Sequence, residues 1–497
     1  LPTYPFQLRR YFIDVDASAR AATAEPDIIK EPDLSRWGYR PTWKQSLPDY
    51  ETGGEEQPRT WLIFTDEAGV GASLAQRLRR HGHKVVTVAV GDTYARRTAE
   101  DHVLCPELGL AGYSALVHSL VADDLLPSRI VHSWLLTSDD RARAGSNLFH
   151  KLQDAGLYSL LHLSQALGDV ELRSDVHVTV LTNGMQKVGA EPLPYPEKAT
   201  VLGPGLVVPR EFPGFTVRLI DVEIGNVEQT KLSWLRRAPG KRDAATRGPV
   251  EDMLWEDLFS TPASEVVAYR GARRWTRSYA RFSLDQAEKG QLKRGGTYLF
   301  TGGLGDIAAV LAADLAEKYQ ARLVLLGRTV LPPRGMWRDY RRQHRADDVT
   351  RAIETIMALE ALGSDVLYCC ADVTDSEAVG AAIKQALERF GRIDGVFHAA
   401  GRVDDGLLQE KTPDGIESVL APKVMGTRVL DNALRGVDID FLVLFSSTST
   451  VPRLSRSRLR SRVRSMTESS RGWPGQTKAA RGWPGGATRG FSKAMRS

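Results

Sequence analysis

Short apolar runs alternate with helical stripes along most of this chain. Residues 61–65 (WLIFT), 84–90 (KVVTVAV), 129–136 (RIVHSWLL) and 176–182 (VHVTVLT) are rich in β-branched and aromatic residues, as in strands buried on both faces. Between the first two, Ala72, Leu74, Ala75 and Leu78 mark one face of a helix, and a further helix is predicted over residues 145–167. The same order returns later, with strands at 297–301, 322–328, 365–372, 393–401 and 439–445. Stripes at Ile307, Val310, Leu311 and Leu315, at Ile353, Ile356, Met357 and Leu362, and at Val379, Ile383, Ala386, Leu387 and Phe390 fill the intervals. Strands alternating with helices predict parallel, doubly wound sheets, so the fold class is α/β in two successive halves.

Other stretches break the rhythm. Residues 1–15 combine prolines with aromatics and suit an extended segment on another surface, while 37–43 read as a short strand or docking segment. Residues 185–223, with prolines at 192, 194, 196, 204, 209 and 213, read as loop-rich, and 265–277 alternate like an exposed strand pair. The tail from Pro452 has no sustained apolar period and repeats RGWPG at 471–475 and 481–485. The organisation is therefore a linker over 1–57, a first half over 58–289, a second over 290–451 and a separate tail over 452–497.

Composition changes the picture in two places. Three cysteines in 497 residues make neither a disulfide framework nor a metal set, which points to a reduced, cytoplasmic setting and no metal site. No run of 18 apolar residues predicts a membrane span. The net charge of +5 belongs to the tail, whose ten Arg, two Lys and one Glu give +11 and leave −6 for residues 1–451. Basicity is thus no argument that the folded body binds nucleic acid.

Candidate chemistry centres on TYLFTGGLGDIAAVL (297–311), a strand running through glycines into an amphipathic helix. Gly303, Gly305 and Ala308 form G-x-G-x-x-A: the first glycine for the tight turn, the second for backbone approach to a pyrophosphate, and alanine for close helix–strand packing. A carboxylate for a ribose 2′-hydroxyl would follow about 20 residues on. No Asp or Glu lies between Lys318 and Arg328, and the arginine at that strand end suits a 2′-phosphate, so NADPH is the expected cofactor. Asp372 stands where a carboxylate can accept from an adenine amino group, and Ala399, Ala400 and Gly401 are small residues where backbone passes a cofactor. A second glycine region, EAGVGA (67–72), lacks a ribose partner and is read as part of a supporting Rossmann-like half.

Six motifs, TGGLG (301–305), LLGR (325–328), ADVTD (371–375), HAAG (398–401), APKV (421–424) and FSSTS (445–449), resemble in order the ketoreductase domain of modular type I polyketide synthases. The opening LPTYPF (1–6) looks like the linker that leaves an acyltransferase domain. The resemblance implies two Rossmann-like subdomains, a truncated structural one and a catalytic one. It also implies NADPH-dependent reduction of a β-ketoacyl chain on the phosphopantetheine arm of an acyl carrier protein, beside neighbouring synthase domains. Carried over residue by residue, Thr301, Gly302, Gly303, Leu304, Gly305, Arg328, Asp372, Val373, Ala399, Ala400 and Gly401 face the cofactor, and Lys423 and Ser447 are catalytic. Val403-Asp404-Asp405 is similar to the family signature for a D-configured alcohol, with Asp405 in the stereocontrol place. The family's tyrosine acid and its asparagine correspond to positions 460 and 464, which here are Arg460 and Arg464. A shifted reading frame near Val451 is the expectation this raises, leaving the catalytic sheet incomplete, and the alternative function is a non-catalytic scaffold that binds NADPH.

Overall fold

The computed structural model describes residues 31–49, 57–137, 147–172, 174–223, 249–284, 290–344 and 347–447. The first half is built on ten strands: β1 (Tyr39–Ser46), β2 (Thr60–Thr65), β3 (Lys84–Val90), β4 (Ala95–Arg96), β5 (Asp101–Leu104), β6 (Arg129–Leu135), β7 (Val176–Asn183), β8 (Phe215–Val222), β9 (Glu265–Arg270) and β10 (Arg273–Arg281). They lie in the order β1-β10-β9-β8-β7-β6-β2-β3-β5-β4. From β5 to β9 every pairing is parallel, and β1, β10 and β4 add antiparallel edges. The second half holds β11 (Thr297–Thr301), β12 (Arg322–Gly327), β13 (Val366–Cys370), β14 (Gly395–His398) and β15 (Phe441–Leu444) in the order β13-β12-β11-β14-β15, all parallel.

Period-2 alternation within buried strands splits the core into layers on the two faces of each sheet. Leu62 and Phe64 join Tyr113, Leu116, Leu160 and Leu163 on one face, whereas Trp61 and Ile63 join Leu74, Leu78, Leu254 and Trp255 on the other. In the second half Tyr298 and Phe300 pack with Leu311, Leu315, Ile353 and Ile356, and Leu299 packs with Val379, Ile383, Ala386 and Leu430. Apart from the edge strand β1, the chain in each half enters at the sheet's middle, at β2 or β11, and then builds outward in both directions, which opens a crevice at the C-terminal ends of the strands where the order reverses.

Several expectations are corrected. Residues 185–223 are not mainly loop, because they hold the helix Leu202–Glu211 and the buried β8. Pro204 sits in the helix's first turn, where a missing N–H costs nothing, so prolines misled the reading there. The hairpin β9–β10 is not an exposed pair: β9 is buried along Val266–Tyr269 because β8 pairs with it and the helix Pro249–Leu258 covers it. By contrast, the strand expected around 37–43 is present as β1, which pairs with β10 along its full length. The helix predicted over 145–167 is interrupted by a π-helical turn at Gln153–Tyr158, which a 3.6-residue period cannot reveal. The tail 452–497 lies outside the described residues.

A buried charge network ties β8 to this hairpin. Asp257, fully buried, accepts from Arg274 Nε at 3.0 Å and from the Tyr269 hydroxyl at 2.6 Å, and it pairs with Arg218 Nη1 at 3.1 Å. Arg218 also donates to the Ser260 hydroxyl and the Thr261 carbonyl at 2.6 and 2.8 Å. Burial resists the charge of Arg274, but the hydrogen bonds and the Asp257 and Glu265 charges outweigh it and hold its pKa above the ordinary arginine value. Removing one partner of such a cluster leaves buried cations uncompensated. The Asp257→Leu exchange is therefore expected to cost about 3–5 kcal/mol in urea unfolding, and a loss below about 1 kcal/mol, typical of a surface pair, would contradict that role.

A candidate cofactor and active site at the end of the five-stranded sheet

β11 ends at Thr301 and the chain turns sharply at Gly302, whose φ of +64° lies in the left-handed region. A Cβ there would stand 2.8 Å from the Cα of Ala400, so only glycine lets β11 and β14 close on each other at this point. This corrects the assignment of the tight turn to Gly303, which instead donates its N–H to Leu326 O at 2.9 Å. Gly305 is extended and precedes the helix Asp306–Tyr319, and Ala308 is fully buried against the strand. Leu304 turns its side chain into the apolar cluster beneath, so it braces the turn.

The helix start is the feature that fits an anionic ligand. Among the described residues no side chain caps the helix Asp306–Tyr319, so its first amides and dipole remain available. The first half offers a contrast, because the Asp66 carboxylate there accepts from Gly71 N at 2.7 Å and Val70 N at 3.2 Å. Its own side chain takes the place that a pyrophosphate would need.

Arg328 and Asp372 follow β12 and β13 and face each other at 4.0 Å, the arginine largely exposed and the aspartate half-buried. Thr374 donates to Asp372 Oδ1 through its amide at 2.9 Å and its hydroxyl at 2.7 Å, and these bonds, then Arg328, hold the carboxyl below its usual pKa. Val373 is buried under Gly426 of the helix Pro413–Ala433, which makes it a packing contact.

That helix brings Lys423 to the strand ends. Its Nζ donates to Phe445 O at 3.4 Å, two residues before Ser447, and lies 3.1 Å from where a Gly401 Cβ would be. Desolvation lowers its pKa from the ordinary lysine value. Lys423, Ser447 and Ala399 to Gly401 are thus gathered at one end of the sheet, whereas Asp405 is exposed on the segment beyond Gly401. Arg460 and Arg464 lie outside the described residues.

One residue at the centre had no assigned role. His398, almost fully buried, places Nδ1 2.6 Å from Thr301 Oγ1 and Nε2 3.1 Å from Pro422 O. The carbonyl can only accept, so Nε2 carries the proton and Nδ1 accepts from the Thr301 hydroxyl. Thr301 Oγ1 in turn accepts from Ala400 N at 3.3 Å. Burial, offset by the Pro422 bond, lowers the ring's pKa and keeps it neutral. A histidine at the end of an otherwise apolar strand was the available signal.

Comparison with known proteins agrees with this geometry. Residues 296–456 match the family model described as KR domain, and residues 59–235 match one described as Beta-ketoacyl synthase-like, N-terminal. Polyketide synthase PksM of Bacillus subtilis (strain 168) is 24% identical over 456 residues, covering 91% of this chain and 9% of that protein. Polyketide synthase GfsA of Streptomyces halstedii is 30% identical over 434 residues, covering 84% of this chain and 5% of that protein. The chain therefore spans less than a tenth of the length of these curated relatives. Among solved structures, an N-terminal ketoreductase from the macrolactin assembly line aligns with a TM-score of 0.64 at 22% identity over 84% of this chain and 76% of its own. The first ketoreductase of the tylosin polyketide synthase aligns at 0.58 and 21% over 90% and 84%. At those identities the likeness speaks for the fold, while the KR domain match spans the glycine turn, Lys423 and Ser447 alike. On that combined ground residues 296–456 match the KR domain family, and the chain as a whole is similar to ketoreductase regions of polyketide synthases.

Proposed function

We propose that this region reduces a β-ketoacyl group, carried on the phosphopantetheine arm of an acyl carrier protein, to a β-hydroxyacyl group with NADPH. The observation that carries the reading is Lys423, whose ammonium is held at the strand end beside Gly401 and Phe445, two residues before Ser447. KR domains use a nicotinamide cofactor, which when bound supplies a hydride for the substrate's β-carbon. The uncapped amides after Gly305 receive the pyrophosphate, and Arg328, only loosely engaged by Asp372, receives a 2′-phosphate. The Ser447 hydroxyl donates to the substrate's carbonyl oxygen, and the Lys423 ammonium stabilises charge that develops there. Asp405 directs the substrate's approach and favours a D-configured alcohol.

A proton must still reach that oxygen. The family's tyrosine position is Arg460, and a guanidinium stays protonated at any working pH and makes a poor acid. This favours a second reading for the chain as written, in which it binds NADPH and organises neighbouring synthase domains without rapid turnover. The first half, whose glycine turn is filled by Asp66, serves in either reading as scaffold.

The Arg328→Glu exchange would set a carboxylate against the 2′-phosphate and cost roughly 1.5–3 kcal/mol, about ten- to hundred-fold in affinity. Fluorescence titration is expected to show that loss for NADPH and little change for NADH, and equal weakening of both would remove Arg328 from the phosphate site. The His398→Leu exchange strands the Thr301 hydroxyl and is expected to cost about 1–3 kcal/mol of stability at pH 7.5. Because the unfolded ring takes up its proton near 6.5 and the buried ring only below that, its contribution is complete above that pH and is lost as pH falls. The gap between wild type and variant in urea midpoints should accordingly narrow at pH 5.5, and a gap that widens would contradict the neutral ring.

A further inference from the structure

The segment that carries Asp405 is fastened to the half that holds no reacting group. The turn Leu408–Glu410 follows it directly, and Leu408 inserts its side chain into the first half's apolar core. Gln165, on the helix Ser159–Gly168 and almost fully buried, donates from Nε2 to the carbonyls of Leu408 and Lys411 at 2.9 Å each, with that of Gln409 at 3.3 Å. Three carbonyl oxygens around one atom require the amide nitrogen there, and His162 Nδ1, 3.2 Å from Gln165 Oε1, fixes the amide's other end. Leu408 N donates to Glu211 Oε2 at 2.6 Å, and Gln409 Nε2 donates to Asp169 Oδ1 at 2.6 Å and Gln165 O at 3.2 Å.

The far side of the turn reaches the substrate segment. Lys411 Nζ donates to both the carbonyl and a carboxylate oxygen of Asp404, the neighbour of Asp405. Thr412 then caps the helix Pro413–Ala433 by accepting from Gly415 N at 3.2 Å, so the same few residues set the start of the helix that delivers Lys423.

We infer that Gln165 is a positioning residue for the reaction: through the 408–411 backbone it registers the Asp404–Asp405 segment against the end of the five-stranded sheet. The assignment rests on the ketoreductase reading of Asp405. Its physical content is that a buried amide with both hydrogens committed leaves the turn one place to sit, whereas an exposed loop held only at its ends has many. The first half thereby contributes to substrate orientation although its own glycine turn is filled.

The test compares the full chain with Gln165→Glu, which keeps the shape and presents oxygens to three carbonyls, and with Gln165→Met, which keeps the length and carries neither donors nor charge. Hydrogen exchange followed by mass spectrometry should show amides of residues 404–411 exchanging about tenfold faster in both variants. Peptides from β7, β11 and the helix Ser159–Gly168 should be unchanged, as should NADPH affinity on the same preparations. Unchanged exchange at 404–411 would overturn the inference, and so would an equal rise across β7 and the helix, or lost NADPH binding in the variants alone. If the unmodified chain itself fails to take NADPH, the cofactor reading falls, and the exchange pattern still decides whether Gln165 holds the turn.

Discussion

The close approach of β11 and β14 at Gly302 and Ala400 is the constraint on which the rest of the site depends. Two parallel strands diverge there, one toward a helix that can receive a phosphate, the other toward the segment that holds Asp405. The gap is locked by hydrogen bonds running from Ala400 N through the Thr301 hydroxyl and the His398 ring to Pro422 O. Pro422 lies inside the helix and immediately precedes Lys423, so the position of the lysine is referred to the cofactor turn through a single neutral imidazole. Any side chain at 302 would push the strands apart and undo that reference.

The two halves share a topology and differ in what their central turns can accept. At the first, Asp66 supplies its own anion to the helix amides; at the second, no side chain among the described residues caps the corresponding amides. The first half instead invests in rigidity, with Asp257 joining two guanidinium groups beneath β8 and β10. A rigid first half can hold the 408–411 turn where a loop alone would not. The second sheet ends, among the described strands, at β15, whose Leu442 and Leu444 are exposed and whose outer edge invites pairing with another strand.

Much of this was legible in the chain because the signals were local. Buried parallel strands announce themselves as apolar runs, and the glycine turn, Arg328, Lys423 and Ser447 sit in short motifs of fixed spacing. What escaped was non-local or depended on a single backbone angle. The left-handed residue proved to be Gly302 because of Ala400, nearly a hundred positions away. Gln165 reads in sequence as one polar residue on an apolar helix, and only the fold reveals the three carbonyls it meets. Pro204 and Pro209 argued for loop, yet packing of Val208 and Pro204 against the first half's core keeps the helix.

We propose that residues 290–447 present a ketoreductase site and that, with Arg460 at the family's tyrosine position, this chain lacks the proton donor that rapid turnover needs. The most direct measurement is the rate of NADPH oxidation with a β-ketoacyl thioester for three forms: the chain as given, Arg460→Tyr, and a chain in which everything after Val451 is replaced by a family-like Tyr-x-x-x-Asn segment with closing strands. The grafted form should exceed the other two by about a hundred-fold or more, since positioned proton transfer contributes about 10² to 10⁴ in rate. Equal, rapid turnover by the unmodified chain would contradict the account.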